Sequence, residues 1–434
     1  MKSSTTVYIL IGIIVVLAAI IIGILLYLNS QPDATRGIEP LVEIEPMEPD
    51  SEVWGINFPN QWATLQKTET NKDRTAYGGS EPYSKLEVDP RLVTLFAGYG
   101  FSKEYNEDRG HMNSLTDVEG TARVGEKTPG TCYSCKSSVN PRLWDEIGMA
   151  EYDMTPFMEL GDEIDHAIGC ANCHDAETMQ LIVTNPALDE ALQAQGQNWR
   201  DFTRQEMRTV VCANCHVEYY FKGDGNYLTF PWEDGTKIED IATYYAELGF
   251  KDWEHPQSGA PMIKMQHPEY EFFTQNSTHF NAGVACADCH MPYTRDGAAK
   301  FSTHDVRSPL LNAENACGQC HTDVTYVTNR VSTIQNQVSE TMIATEDAIL
   351  AAISTIEAAA ALPGVDSQQL DEARWQHREA QLRWDFIAAE NSMGFHNPEE
   401  ALRILASATN LARMAELKAV QAAGTPDVIQ SETN

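Results

Sequence analysis

Thr131-Cys132-Tyr133-Ser134-Cys135-Lys136 is one of five Cys-x-x-Cys pairs in the chain, and it differs from the other four. Those run Cys170-Ala171-Asn172-Cys173-His174, Cys212-Ala213-Asn214-Cys215-His216, Cys286-Ala287-Asp288-Cys289-His290 and Cys317-Gly318-Gln319-Cys320-His321. Each is the attachment signature of a c-type haem, in which two thiols add to the vinyl groups and the next residue ligates iron. After Cys132 and Cys135 the next residue is Lys136. A lysine ligates iron only as the neutral amine, so burial or the metal must lower its pKa. One haem set apart from four His-bound ones is the place to expect chemistry. A single C-x-x-C also fits a zinc knuckle or a redox dithiol. Here all 10 cysteines fall into such pairs, leaving none for a zinc site or a disulfide framework.

Composition sets the outer bounds. A chain of 434 residues exceeds the usual single core, but five haems would themselves fill much of the interior. The formal charge of −33 excludes nucleic acid, which needs a basic face, and suits a basic electron donor. Thioether haems are made outside the bacterial cytoplasm. The uncharged apolar run 7–28 is long enough to span a bilayer, with Lys2 before it and Asp33, Glu39, Glu43 and Glu45 after it. A cleaved signal peptide would have a shorter apolar core and a small-residue site, which Tyr27-Leu28-Asn29-Ser30 lacks. Residues 1–6 are therefore expected in the cytoplasm, 7–28 as a transmembrane anchor, and the rest exoplasmic, in the periplasm or on the outer face of the cell membrane.

Residues 29–53 read as an acidic, Pro-containing tether (Pro32, Pro40, Pro46, Pro49), with the globular part starting at Trp54. Residues 54–321 form the haem-binding catalytic region, with short helices, long loops and little strand-like alternation. Val324, Val327, Val331, Ile334, Val338, Ile349 and Ile353 then recur at helical spacing. Leu362-Pro363-Gly364 breaks this helix, a second runs from Leu370 to about Ser392, and Gly394 ends it. Asn397-Pro398-Glu399-Glu400 opens a third, with Asn397 as its N-cap. The fold class is mainly α, a multihaem cytochrome c fold followed by long helices over 322–422 in the same domain. Residues 423–434 are a flexible tail. The long helices also offer a dimer interface.

Of 12 histidines, His174, His216, His290 and His321 are proximal ligands by motif. Eight remain: His111, His166, His255, His267, His279, His304, His377 and His396. Four haems that only carry electrons each need a second axial histidine, and the spacing does not say which four supply it.

These residues closely resemble the ammonia-forming cytochrome c nitrite reductases, the pentahaem catalytic subunits, over about Trp54 to Ala422. The likeness rests on the Cys-x-x-Cys-Lys site, the four C-x-x-C-H sites, Cys212 to Tyr220 (CANCHVEYY) and Lys264-Met265-Gln266-His267. It implies five covalently bound haems, with Lys136 the proximal ligand of a catalytic haem whose other face is open. Arg123, Tyr219 and His267 become the distal catalytic residues, with Arg109 the rival for the arginine, because the segment from Arg123 to Cys132 is short for the family. His111 would serve the haem at Cys212/Cys215, His304 that at Cys170/Cys173, His279 that at Cys317/Cys320 and His396 that at Cys286/Cys289. His166, His255 and His377 are left as ordinary histidines. The resemblance also implies calcium, held by side-chain oxygens of Glu218 and Gln266 and backbone carbonyls of Tyr219 and Lys264; the Lys264 ammonium reads as half of an ion pair. A membrane-bound tetrahaem quinol dehydrogenase is the implied electron donor, and a homodimer the implied assembly. Many relatives are released into the periplasm, whereas this chain reads as anchored.

The expected reaction is the six-electron reduction of nitrite to ammonium. A distal arginine answers the anion with permanent charge, and a histidine moves protons near neutral pH. The competing functions are a non-catalytic electron-transfer cytochrome, with the Lys136 haem closed by another ligand, and a reductase of hydroxylamine, nitric oxide or sulfite at the same iron.

Overall fold

The computed structural model describes Tyr8 and residues 12–18, 20–22, 40–107 and 109–424. The chain divides into Met1–Glu43 and one compact unit, Ile44–Asn434. Half of the expected anchor lies outside the described residues, and its described parts are helical and exposed. Among the described residues no helix is long and apolar enough to cross a membrane. The expected tail lies outside the described residues from 425 onward.

The compact unit starts ahead of Trp54, a correction to the tether boundary. Asp50 caps the helix Ser51–Asn57 by accepting from the Glu52 N–H. Two carbonyls upstream are already in use: Glu48 O accepts from Trp54 Nε1 at 2.9 Å and Pro49 O from Ser138 Oγ at 2.7 Å. Backbone carbonyls leave no mark in a side-chain pattern, so composition placed this segment in the tether.

From there to the last haem motif the elements are short. The longest helix is Ile238–Leu248, and the described strands form four two-stranded ladders. Two of these hairpins matter for the site. Tyr220–Lys222 pairs antiparallel with Tyr227–Thr229 and starts directly after Glu218-Tyr219. Trp253–Glu254 pairs with Pro261–Met262, which leads into Lys264 to His267.

The three long helices are Val324–Ala360, Ser367–Ala389 and Pro398–Ala423. Asp323 and Asp366 cap the first two through their carboxylates, and left-handed Gly424 ends the third. Val331, Ile334, Val338, Met342, Ile349, Ile353 and Ile356 are buried along the first. Each such side chain is worth about 1.5–3 kcal/mol out of water. The third presents Ala408, Ala412, Ala415, Ala419 and Ala422, small residues that admit close approach. Two details differ from expectation. The second helix stops at Ala389 rather than near Ser392, because Asn391 and Met393 take positive φ ahead of Gly394. Asn397 makes no capping bond, since its Nδ2 donates to Gln275 O at 2.8 Å.

Two apolar cores flank the site. One gathers Tyr133, Val139, Leu143, Tyr152, Leu188, Val217 and Trp232. The other joins Leu95, Phe96, Tyr245, Met265 and Phe272 to the long helices through Ile349, Trp384 and Leu405. Val217 and Tyr220 lie in different cores, so Glu218-Tyr219 spans the seam between them.

His255 and His377 are fully buried and use both ring nitrogens. His255 Nε2 donates to Thr94 O at 2.8 Å, and its Nδ1 accepts from Ser258 N at 3.3 Å. His377 lies 3.0 Å from Ser258 Oγ through Nδ1 and 3.1 Å from Gln381 Oε1 through Nε2. Burial first, and then His255, push the His377 pKa down from 6.5 to about 3. The unfolded chain takes up this proton below 6.5 while the folded chain refuses it, so stability present above that pH is lost on acidification. Between neutrality and about pH 5 the loss is about 2 kcal/mol. Denaturant midpoints at the two pH values should converge by this amount in His377→Gln.

Candidate haem and substrate site

The Cys132 motif is entered through a tight turn. Gly130 N donates to Thr155 O at 2.7 Å, and a Cβ on Gly130 would fall 2.7 Å from both Tyr152 O and Leu160 Cδ2. Only glycine fits there. The interior residues of the other motifs brace the loops. Asn172 Nδ2 donates to Ser137 O at 2.8 Å, and Asn214 Oδ1 accepts from Asn185 N at 3.1 Å. Asp288 accepts from Arg208 Nη2 at 2.8 Å.

Two imidazoles bound through nitrogen at about 2 Å to opposite faces of one metal ion have ring centres about 6.3 Å apart. Three expected pairs meet this figure: His174–His304 at 6.2 Å, His290–His396 at 6.2 Å and His279–His321 at 6.5 Å. For three of these six rings Nδ1 is already hydrogen-bonded. His174 Nδ1 lies 3.0 Å from Met179 O, His290 Nδ1 3.1 Å from Arg307 O, and His304 Nδ1 3.0 Å from Ser302 O. His396 Nδ1 is 3.0 Å from Glu390 Oε2. A histidine tied at Nδ1 presents Nε2 to a metal with its tautomer fixed. The residues fit bis-histidine haems.

The fourth expected pair is placed less directly. His111 is half-buried beside His216, His304 and Lys136; desolvation first, then the nearby His216 charge, lower its pKa to about 4. The ring that stands 6.4 Å from His216 is His267, at 73°, and both turn Nδ1 toward Glu269. His166, the remaining histidine, pairs with its neighbour Asp165.

The motif sulfurs trace an order of their own. Cys135 is in hydrogen-bond reach of Cys215, and Cys286 of Cys212. Cys289 lies within electrostatic reach of Cys317, and Cys173 within that of Cys215. The line therefore runs from the Lys136 motif to the 212–216, 286–290 and 317–321 motifs, with 170–174 to one side.

Around the Lys136 motif, an open cleft of about 590 Å³ is lined by Arg123, Gly125, Glu126, Lys127, Thr128, Pro129 and Cys132. The Arg123 guanidinium lies 4.1 Å over the Phe101 ring, and its charge reaches Cys132 and Tyr219. Arg109 is spent on Asp117, with Nε 2.7 Å from Oδ1, so it does not compete for the cleft. Burial first, then the nearby Cys135 and Cys132, hold the Tyr219 phenol well above its ordinary range.

The Glu218 and Lys264–His267 segments are stitched together beside it. Glu218 is fully buried; Oε1 accepts from Tyr245 Oη at 2.8 Å and Oε2 from Gln266 N at 2.6 Å. Burial pushes its pKa well above the carboxylate range. Gln266 Nε2 donates to Lys264 O at 3.0 Å. The Lys264 ammonium is half of a buried ion pair, with Nζ 2.9 Å from Asp385 Oδ1. Sequence patterns missed Asp385, Tyr245, Phe101 and Glu269. Only Glu269 left a signal, in His267-Pro268-Glu269.

Paired Cys-x-x-Cys loops, imidazoles at trans-axial spacing and short elements wrapped around them define a multihaem c-type cytochrome, in which haem is bound covalently. The chain belongs to the cytochrome c552 family, whose model matches residues 50–433. It is 41% identical over 384 residues to cytochrome c-552 of Parabacteroides distasonis, covering 86% of this chain and 77% of that one. Cytochrome c-552 of Bacteroides fragilis is 41% identical over 385 residues, covering 87% and 78%. Among solved structures, the catalytic subunit of cytochrome c nitrite reductase from Desulfovibrio desulfuricans matches with a TM-score of 0.85 at 34% identity, covering 91% of this chain and 90% of that one. That structure is described with two calcium sites.

Proposed function

We propose that the protein reduces nitrite to ammonium, with six electrons, at the haem attached to Cys132 and Cys135 and ligated by Lys136. A haem held by Cys132, Cys135 and Lys136 would supply an iron able to bind the substrate, and haems held at the four histidine motifs would relay its electrons. The observation that carries the proposal is the convergence on the Lys136 motif of an arginine whose charge reaches both Cys132 and Tyr219. Arg123 binds the anion and faces its N–O bonds. Tyr219 keeps its proton and donates a hydrogen bond. His267 passes protons to the bound substrate. The similar Desulfovibrio enzyme, a nitrite reductase by name, supports this assignment.

Calcium fits the Glu218 and Gln266 side chains and the Lys264 and Tyr219 carbonyls. Glu218 is buried with a phenol and a backbone N–H on its two oxygens, and hard oxygen donors suit Ca²⁺. These donors sit beside Tyr219 and His267 in the chain and would hold both in place. We further infer an exoplasmic catalytic domain tethered by the apolar run 7–28, supplied by a membrane-bound tetrahaem quinol dehydrogenase. Association into a homodimer would go through the long helices, where Tyr326, Ile343, Met414 and Leu417 are exposed.

The test is nitrite consumption and ammonium formation by the purified five-haem protein with a reduced low-potential dye. One ammonium per nitrite is expected, with slower turnover in Lys136→His. No loss of nitrite with all haems in place would instead make the protein an electron-transfer cytochrome.

A further inference from the structure

His216 and His267 meet at one carboxylate oxygen. Glu269 Oε1 lies 3.4 Å from His216 Nδ1 and 3.9 Å from His267 Nδ1. Asn391 Nδ2 donates to the same oxygen at 2.7 Å. The other oxygen, Oε2, is buried and has no hydrogen-bond partner among the described residues. The base beneath is firm: Glu269 opens the helix Glu269–Thr274, and Glu271 in that helix accepts from Glu218 N at 2.8 Å and Trp232 Nε1 at 2.7 Å. Asn391 holds a left-handed φ of 56° where the second long helix has ended. A carboxylate pinned from one side by an asparagine and from below by its helix cannot swing from one histidine to the other. It acts on both at once.

The two histidines belong to different centres. His216 is the motif ligand of the haem at Cys212/Cys215, the next centre in line from the Lys136 motif. His267 is the distal residue proposed above, and the inference rests on that reading. We propose that Glu269 is a positioning residue shared by the two centres. Its charge makes His216 a more electron-rich ligand and so lowers the potential of the adjacent haem, while the same oxygen turns His267 Nε2 toward the substrate. Both effects have the same physical basis. A carboxylate at the back nitrogen of an imidazole fixes the ring and its tautomer and raises the basicity of the front nitrogen. Hydrogen bonding and charge behind an axial ligand are among the means by which a protein sets a haem potential.

The experiment uses the full-length, five-haem protein, with haem content checked by absorbance. Glu269→Gln keeps the shape and removes the charge. Redox titration followed by magnetic circular dichroism is expected to show one low-spin haem with a raised potential. Nitrite turnover is expected to fall about ten-fold in kcat, with KM little changed. The double variant with His267→Gln should be no slower than His267→Gln alone, because the carboxylate acts on turnover through that ring. Asn391→Gly keeps the backbone, frees the oxygen and should give both changes in smaller measure; it replaces Glu269→Gln if that protein fails to take up haem. Unmoved low-spin potentials, or a double variant slower than His267→Gln by the full Glu269 factor, would overturn the proposal. Failure of the parent reading looks different, since His267→Gln would then turn over at the wild-type rate. The potential measurement would still decide the action of Glu269 on His216.

Discussion

Arg123→Gln is expected to lower kcat/KM for nitrite by about 10²–10³-fold, with all haems retained. Nitrite is an anion, and the open cleft beside the Lys136 motif meets it with the exposed Arg123 guanidinium. A fixed cation facing the N–O bonds is worth far more there than in solution, because it needs no reorganisation as charge builds. The Phe101 ring supplies a flat support, 4.1 Å from the guanidinium carbon, and a cation on an aromatic face is favoured by about 0.5–2 kcal/mol. A Cβ on Gly100 would come within 3.3 Å of Arg123 Cγ, so the backbone at 100 also leaves room for the side chain. Arg123→Lys should recover part of the loss, since it keeps the charge but not the planar fork. Steady-state rates with a reduced dye decide the matter, and an unchanged kcat/KM would remove Arg123 from the site. Arg109→Gln should leave kcat/KM within a factor of about two, because its guanidinium is engaged by Asp117.

Lys264→Met should cost about 3–5 kcal/mol of stability. Lys264 and Asp385 are both buried, and their charged atoms are 2.9 Å apart. Removing the ammonium strands a carboxylate whose remaining hydrogen bond comes from Met265 N, at 2.8 Å. Burial raises the Asp385 pKa and the Lys264 charge opposes that rise. In the variant the carboxyl would therefore take up a proton more readily, and part of the lost stability should return on acidification. The double variant Lys264→Met/Asp385→Leu should recover most of the loss, because neither charge is then left alone. Denaturant midpoints of the three proteins test this, and equal midpoints for Lys264→Met and wild type would mean that the pair adds nothing. The ammonium also lies between 5.1 and 5.4 Å from the rings of Phe101, Phe96 and Tyr105. Losing it removes a contact beneath the aromatic support of Arg123.

What the sequence made legible was chemistry written in adjacent residues. The Cys-x-x-Cys motifs and Lys136 need no fold to be recognised. The long helices announce themselves through Val331, Ile334 and Val338, and the structure buries those same positions. Three His–His pairings implied by family resemblance have ring centres 6.2 to 6.5 Å apart. The rest depended on contacts between distant segments. Asp385 meets Lys264 across the join between a hairpin and a long helix, and neither neighbourhood hints at the other. Phe101 carries no local mark of its place under the Arg123 guanidinium. Asn397 had every local mark of a helix cap, yet its Nδ2 is turned to the carbonyl of Gln275 and its Oδ1 makes no capping bond. The same holds for the start of the compact unit, where the decisive groups are backbone carbonyls.

The order of the motif sulfurs also fixes the circuit. Four centres stand in series, and the one at Cys170/Cys173 hangs off the second of them, beside Cys215; His111, next to His216, also lies within reach of His304. With electrons entering at the 317–321 end, a haem on such a branch would lie off the path to the reacting centre. It would then store charge, as a capacitor does on a resistive line. Without it the line would still conduct, but with one fewer electron held in reserve. The first effect would be on the brief bursts in which several electrons are drawn faster than the supply refills them.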